Sequence, residues 1–208
     1  MPLSTSQIQN AYVAFFNRPA DTAGLNYWSS YAGSSSDLLS TFAQSAEYTS
    51  LFTGLNNTQA VNLIYNNLFG RDADLSGLNY WVGQLTAGSV KIANIADAVN
   101  KGAQGTDSTI VTSKTTAATA FTNSLDTVAK VVAYSSVSSS GLAAVKTWLS
   151  GVKDATTLAT ATSASGLTAI TSTVSSSATS TVAGSTFTLT TGVDLGASFT
   201  GGSGTDNF

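Results

Sequence analysis

Apolar residues near the start of the chain recur at helical spacing, and they do so twice. Ile8, Tyr12, Phe15 and Phe16 are three and four residues apart, which puts them on one face of a helix. Val61, Tyr65, Leu68 and Phe69 repeat the pattern 53 positions later. Sliding the sequence by that offset lays YVAFFNRPADTAGLNYW (12–28) over YNNLFGRDADLSGLNYW (65–81), matching Arg18 with Arg71, Asp21 with Asp74, and Gly24 through Trp28 with Gly77 through Trp81. Two copies of one module therefore open the chain. Each begins with an amphipathic helix ending near the arginine; Ser4 with Gln7 has the form of a capping box for the first, and Thr58 is a candidate cap for the second. A second helix carries Gly-Leu-Asn-Tyr-Trp, and a third is expected in SDLLSTFAQSAEYTSLF and in SVKIANIADAVNKG, where the copies diverge most.

From about Asp107 the text becomes rich in Ser, Thr and Ala, with apolar positions still at helical spacing: Phe121, Leu125, Val128, Val132, then Leu142, Val145, Leu149. Two or three further helices are expected there. After Gly184 the period changes to two, and Phe187, Leu189 and Val193 read as short strand material. The predicted fold is all-α, a multi-helix domain of roughly six to nine helices over residues 4–180 joined by short loops, with a short β segment at the C-terminus. The boundaries fall at 1–53 for the first repeat, 54–106 for the second, 107–183 for the Ser/Thr/Ala-rich helices and 184–208 for the β segment.

Composition narrows the function. With 42% hydrophobic residues the chain can build a core, but only 9% are charged, against about 25% in ordinary soluble domains. The net charge is −3, and the eight Lys and Arg are scattered singly, so there is no basic stripe for a phosphate backbone and nucleic acid is excluded as a partner. Cysteine and histidine are both absent. That removes disulfides, thiolate metal sites, the usual general base and the usual partner of a serine nucleophile. Catalysis would rest on paired carboxylates, yet the eleven Asp and Glu are spread widely, with only Asp72 and Asp74 close in sequence. The chain is therefore read as no enzyme. The N-terminal stretch has no basic region or small-residue cleavage site, and no run of about 20 apolar residues occurs, so neither a cleavable signal nor a transmembrane segment is expected.

Three motifs carry candidate chemistry. Asp72-x-Asp74-x-Ser76-Gly77 imitates the first half of a calcium loop, but the closing position holds Gly83 instead of a bidentate Glu, and the other copy has Pro19 and Ala23 at the places of Asp72 and Ser76. What both copies keep fits a turn: Asp21 and Asp74 as helix caps, with Arg18 and Arg71 bonding carboxylates or helix-end carbonyls. Asn26, Tyr27 and Trp28, with Asn79, Tyr80 and Trp81, are candidate glycan-binding residues, since flat rings beside amides suit sugars; the competing reading makes the tryptophans plugs between helices. The last eight residues, with Gly204 and Asp206, fit one turn of the Gly-Gly-x-Gly-x-Asp nonapeptide that winds a calcium-binding β-roll. A lone turn supplies half the ligands, so calcium is expected to matter mainly in a longer protein.

The F-x-R-x-x-D-x-x-G-L-x-Y-W pattern with Ser45-Ala46-Glu47-Tyr48 resembles the repeats of a bacterial domain-of-unknown-function family, number 4214, found in RTX-type exported proteins and Gram-negative surface-layer proteins. The resemblance covers about residues 4–102; the second copy departs from the Ser-Ala-Glu-Tyr tail, which removes from it any role tied to Glu47. The order of helical region, STFTLTTGVD and a Gly-Gly-x-Gly-x-Asp turn also resembles the beginning of surface-layer proteins exported by type I secretion. What the resemblance implies is a cell-surface structural protein, extracellular in a Gram-negative bacterium. Its N-terminal domain would hold a lattice of copies of itself to lipopolysaccharide O-polysaccharide without covalent bonds, and the calcium-binding roll would continue beyond Phe208. The alternative is a self-associating scaffold or adhesin domain of a type I-secreted protein.

Overall fold

A computed structural model describes residues 2–178. The first repeat forms α1 (Thr5–Phe16), α2 (Thr22–Ser30), α3 (Ser35–Gln44) and α4 (Ala46–Ser50); the second forms α5 (Asn57–Phe69), α6 (Leu75–Thr86), a 3-10 turn (Ile92–Asn94) and α7 (Ile95–Gly102). The helices α8 (Gly105–Asn123), α9 (Val128–Ser135), α10 (Ser139–Ser150), α11 (Ala155–Thr162) and α12 (Ala164–Ser177) follow. The described residues are thus helical throughout, apart from one antiparallel bridge between Val137 and Ala178. The anticipated β segment, 184–208, lies outside them.

Among the described residues, twelve α-helices exceed the expected number because polar caps cut runs whose apolar period is unbroken. Ser45 ends α3 and starts α4, its Oγ accepting the Tyr48 amide at 3.2 Å. Ser163 does the same between α11 and α12, and Thr127, Ser138 and Asp154 cap the starts of α9, α10 and α11, so the Ser/Thr-rich region holds five helices where spacing alone suggested two or three. The Ser4–Gln7 box ahead of α1 forms as anticipated. The cap of α5 is Asn56, not Thr58, with Gln59 closing the box. Val128 is 62% exposed, because α8 ends at Asn123 and the turn before α9 resets the helical phase that linked Val128 to Phe121 and Leu125.

The two repeats share one core. Ile8, Tyr12, Phe15, Phe16, Leu38, Phe42 and Tyr48 of the first pack with Val61, Ile64, Leu68, Phe69, Ile95 and Val99 of the second. On the far side of α1, Val13 joins Ala117 and Ala118 of α8 and Leu149 and Val152, small residues that allow the close approach of α1 along α8. Helix α1 is therefore buried on nearly every side, whereas sequence spacing gave it a single apolar face. Helix α6, its aromatic pair notwithstanding, contains no fully buried residue.

Threonine is tolerated in these helices because its hydroxyl bonds back to the preceding turn. Thr112, Thr116 and Thr119 donate to the carbonyls of Ser108, Thr112 and Thr115 at 2.9, 3.0 and 2.9 Å, and Thr168 and Thr173 do likewise on α12. The surface is hydroxylated, yet these donors are already used.

Candidate functional site

The turn between the first two helices of each repeat is built from the same parts. Asn17 (φ 51°) and Gly70 (φ 68°) end α1 and α5 in the left-handed conformation. Asp21 Oδ1 accepts the Gly24 amide at 2.8 Å and Asp74 Oδ1 the Gly77 amide at 2.9 Å, capping α2 and α6. Inside each turn one amide is caught by a side chain eleven residues upstream: Ala20 N–H donates to Gln9 Oε1 and Ala73 N–H to Asn62 Oδ1, both at 3.0 Å. Gly24 and Gly77 are required for close approach, since a Cβ at Gly24 would run into Tyr12 Oη and one at Gly77 would lie 2.5 Å from Tyr65 Oη.

The arginines lie over the aromatic rings of the preceding helix, Arg18 at 5.2 and 5.3 Å from the Tyr12 and Phe16 centroids and Arg71 at 5.3 and 5.9 Å from Tyr65 and Phe69. Arg18 forks onto Glu47 through Nε (2.9 Å) and Nη2 (2.8 Å). The second repeat has no glutamate there, and Arg71 forks instead onto Asp107 at the start of α8, at 3.2 and 2.7 Å. Burial works against the Arg18 charge, but its bond to Glu47 and the neighbouring groups outweigh that and raise its pKa above the ordinary value.

Each aromatic pair is split by the helix, because successive residues point about 100° apart. Trp28 is buried and Trp81 half-buried, while Tyr27 and Tyr80 are each 57% exposed. Asn26 and Asn79 are exposed beside them. Trp28 meets Phe42 of the core at 5.9 Å and Tyr31 at 5.3 Å, and Tyr31 stacks on Tyr27 at 5.9 Å with 29° between the planes. Tyr31 then forms one edge of an open groove of about 520 Å³, lined also by Asp37, Ser40, Thr41, Gln44 and Ser45. A ring face next to hydroxyls and an amide, fixed from behind by core aromatics, can take the apolar face of a sugar and bond its hydroxyls. The second repeat keeps the Tyr80–Trp81 contact at 4.9 Å, but Gln84 stands where Tyr31 does. Tyr31 escaped the sequence reading although its spacing of four from Tyr27 puts both on one face; Gln9 and Asn62, amides in register in both copies, were a second overlooked signal.

Asp72 and Asp74, the calcium-loop candidates, both have partners within the protein. Asp74 is committed to its cap and lies 3.6 Å from Arg71 Nη1, and the Gly77 amide holds its pKa below the usual value. Asp72 Oδ1 accepts Asn66 Nδ2 at 2.7 Å. Among the described residues no three acidic side chains converge on a point that could hold a metal ion. Gly204 and Asp206 lie outside the described residues. No described helix is long and apolar enough to cross a membrane.

Residues 39–103 match the model of a domain of unknown function, DUF4214. The match opens inside α3 and runs through α7, so its frame joins the end of one repeat to the body of the next. Neither the curated proteins nor the solved structures provided a significant match.

Proposed function

We propose that this chain is a non-enzymatic, glycan-binding domain that anchors a cell-surface layer to lipopolysaccharide O-polysaccharide, the Tyr31 groove of the first repeat being the contact. The observation that carries this reading is the aromatic relay from Phe42 through Trp28 to Tyr31 and Tyr27, which ends in a groove of hydroxyl and amide groups with one carboxylate, Asp37. Immobilised rings lose little conformational freedom on binding, which favours recognition of a weakly interacting neutral polymer. The sparse surface charge agrees with such a ligand, because binding through rings and hydroxyls should depend little on salt. Calcium, in this reading, belongs to the roll that the Gly201–Phe208 text begins, and export would follow the type I route to the outer face of a Gram-negative cell.

The test is co-sedimentation of the protein with cells bearing O-polysaccharide and with cells lacking it. Binding only to the first supports the reading; equal binding to both contradicts it. A second reading, a self-associating scaffold, draws on α6, where Leu75 is 75% and Tyr80 57% exposed. Concentration-dependent dimerisation abolished by Leu75→Ser, without any cell binding, would favour it.

A further inference from the structure

Between the first repeat and the helices that cover it lies a pocket of about 220 Å³. Arg18, Asp21 and Glu47 line it with Tyr134 and Ser135 of α9, and Val137 and Leu142 supply its apolar lining. It shares no lining residue with the Tyr31 groove. Its polar side is held from behind: the guanidinium lies on the Tyr12 and Phe16 rings, and the buried Tyr134 donates through Oη to the Pro19 carbonyl at 2.8 Å.

The hydrogen-bond inventory indicates what would fit. Each Glu47 oxygen accepts one bond from Arg18 and retains capacity for another. Asp21 Oδ1 is used by the Gly24 amide, but Oδ2 has Arg18 Nη1 only at 4.0 Å. Ser135 Oγ donates to the Val131 carbonyl, leaving its lone pairs free. The pocket therefore offers acceptors to a ligand that brings donors. Within the lining Arg18 stands against two carboxylates, and the second positive charge comes from Lys146, half-buried and outside the lining, which interacts with both Glu47 and Arg18. Neither a strongly cationic nor an anionic ligand is favoured. Hydroxyl donors on one edge and a C–H face on the other describe a sugar ring, and the volume is below the ~300–1,000 Å³ typical of sites for larger ligands.

We propose that this pocket binds one neutral pyranose unit, with adjacent hydroxyls donating to Asp21 Oδ2 and Glu47 and the C–H face resting on Val137 and Leu142. The second repeat has the same arginine and capping aspartate, but there the Arg71 side chain is 40% exposed, against 16% for Arg18. The assignment stands independently of polymer binding at the Tyr31 groove.

The test is a titration of the isotope-labelled protein with methyl α-glucopyranoside, methyl α-mannopyranoside and methyl α-rhamnopyranoside, followed by amide shifts, with glucosamine and glucuronate as charged controls. The expected result is saturable shifts near Asp21, Glu47, Ser135 and Leu142 with at least one neutral glycoside, stronger than with either control. Asp21→Asn preserves the cap and should weaken binding about tenfold, the value of one charge-assisted bond. Leu142→Trp, which fills the pocket, should abolish it; if that variant fails to fold, Asp21→Asn and the ligand panel decide. Tyr31→Ala should leave these shifts unchanged. No saturable shift with any neutral glycoside, tighter binding of glucosamine, full affinity in Asp21→Asn, or loss of the shifts in Tyr31→Ala would each overturn the proposal.

Discussion

The two repeats use the same residues in the same register and end in different environments. In the first, Arg18 and Glu47 belong to one repeat, and α9 covers the pair from outside, with Tyr134 bonded to Pro19. In the second, the carboxylate is borrowed from α8, and the exposure is reversed within the pair: Arg71 is 40% exposed against 16% for Arg18, while Asp107 is more covered than Glu47. The first helices also end differently. Asn17 Nδ2 reaches Ser150 Oγ at 3.1 Å, whereas Gly70 has no side chain to offer, and the α5 end is met by the buried Lys114, whose Nζ donates to the Asn67 carbonyl at 2.6 Å. A repeated motif thus specifies a turn, while its burial, and with it the energy of each contact, is set by what packs on it afterwards.

The largest difference should appear on removing the arginines. Arg18→Ala removes a guanidinium that is largely covered and packed on two rings, at a cost of about 2 kcal/mol, while Arg71→Ala removes a more exposed arginine worth about 1 kcal/mol or less; denaturant unfolding of both variants measures the gap. Equal losses would break the comparison.

Lys114 gives a pH signature next in size. Burial first, and then Lys153, bring its pKa down to about 8. Below that pH the folded and unfolded chains both carry the proton and no slope arises; above it the unfolded state binds more protons until its own pKa is passed, so stability rises with pH. The half-buried Lys146, also lowered by burial, adds in the same sense. The gain should reach about 2 kcal/mol from Lys114 between roughly pH 8 and 10. Above about pH 10 it reverses, because burial raises Tyr12 to about 12 and raises Tyr48 and Tyr134, so the unfolded chain ionises first. Thermal unfolding against pH should show that rise in the parent and a much flatter profile in Lys114→Met.

Gly24→Ala and Gly77→Ala should each destabilise by about 2 kcal/mol, since the added Cβ would meet the hydroxyl of Tyr12 or Tyr65 and both rings are buried. Asp74→Ala should lower the melting temperature relative to the parent through the lost cap on Gly77, and a chelator should shift the melting temperature of parent and variant alike by no measurable amount. A chelator-induced loss reversed by calcium and absent from the variant would restore the metal-loop reading.

Much of this was legible in the sequence. The offset of 53 aligned the two stretches, and the residues kept in both identified the caps at Asp21 and Asp74 and left the arginines to bond carboxylates or helix-end carbonyls, of which the structure makes the carboxylate forks. Period alone did not reveal where helices stop, because a serine or threonine cap leaves the apolar spacing intact; Ser45 and Thr127 are the cases that raised the helix number and turned Val128 outward. Nor did it show that α1 would be enclosed by α8, since a contact between Val13 and Ala117 is long-range and leaves no local mark. For the candidate groove, the division of each Tyr-Trp pair follows from helix geometry, but the pairing of Tyr31 with Gln44 and Thr41 depends on how α2 meets α3.

The most direct measurement is calorimetric titration of purified, size-fractionated O-polysaccharide into the parent, Tyr31→Ala and Tyr80→Ala, at low and high salt. Binding to the parent that changes little with salt, falls about tenfold in Tyr31→Ala and is kept in Tyr80→Ala is the predicted result. No binding to the parent, or equal losses in the two variants, would contradict the account.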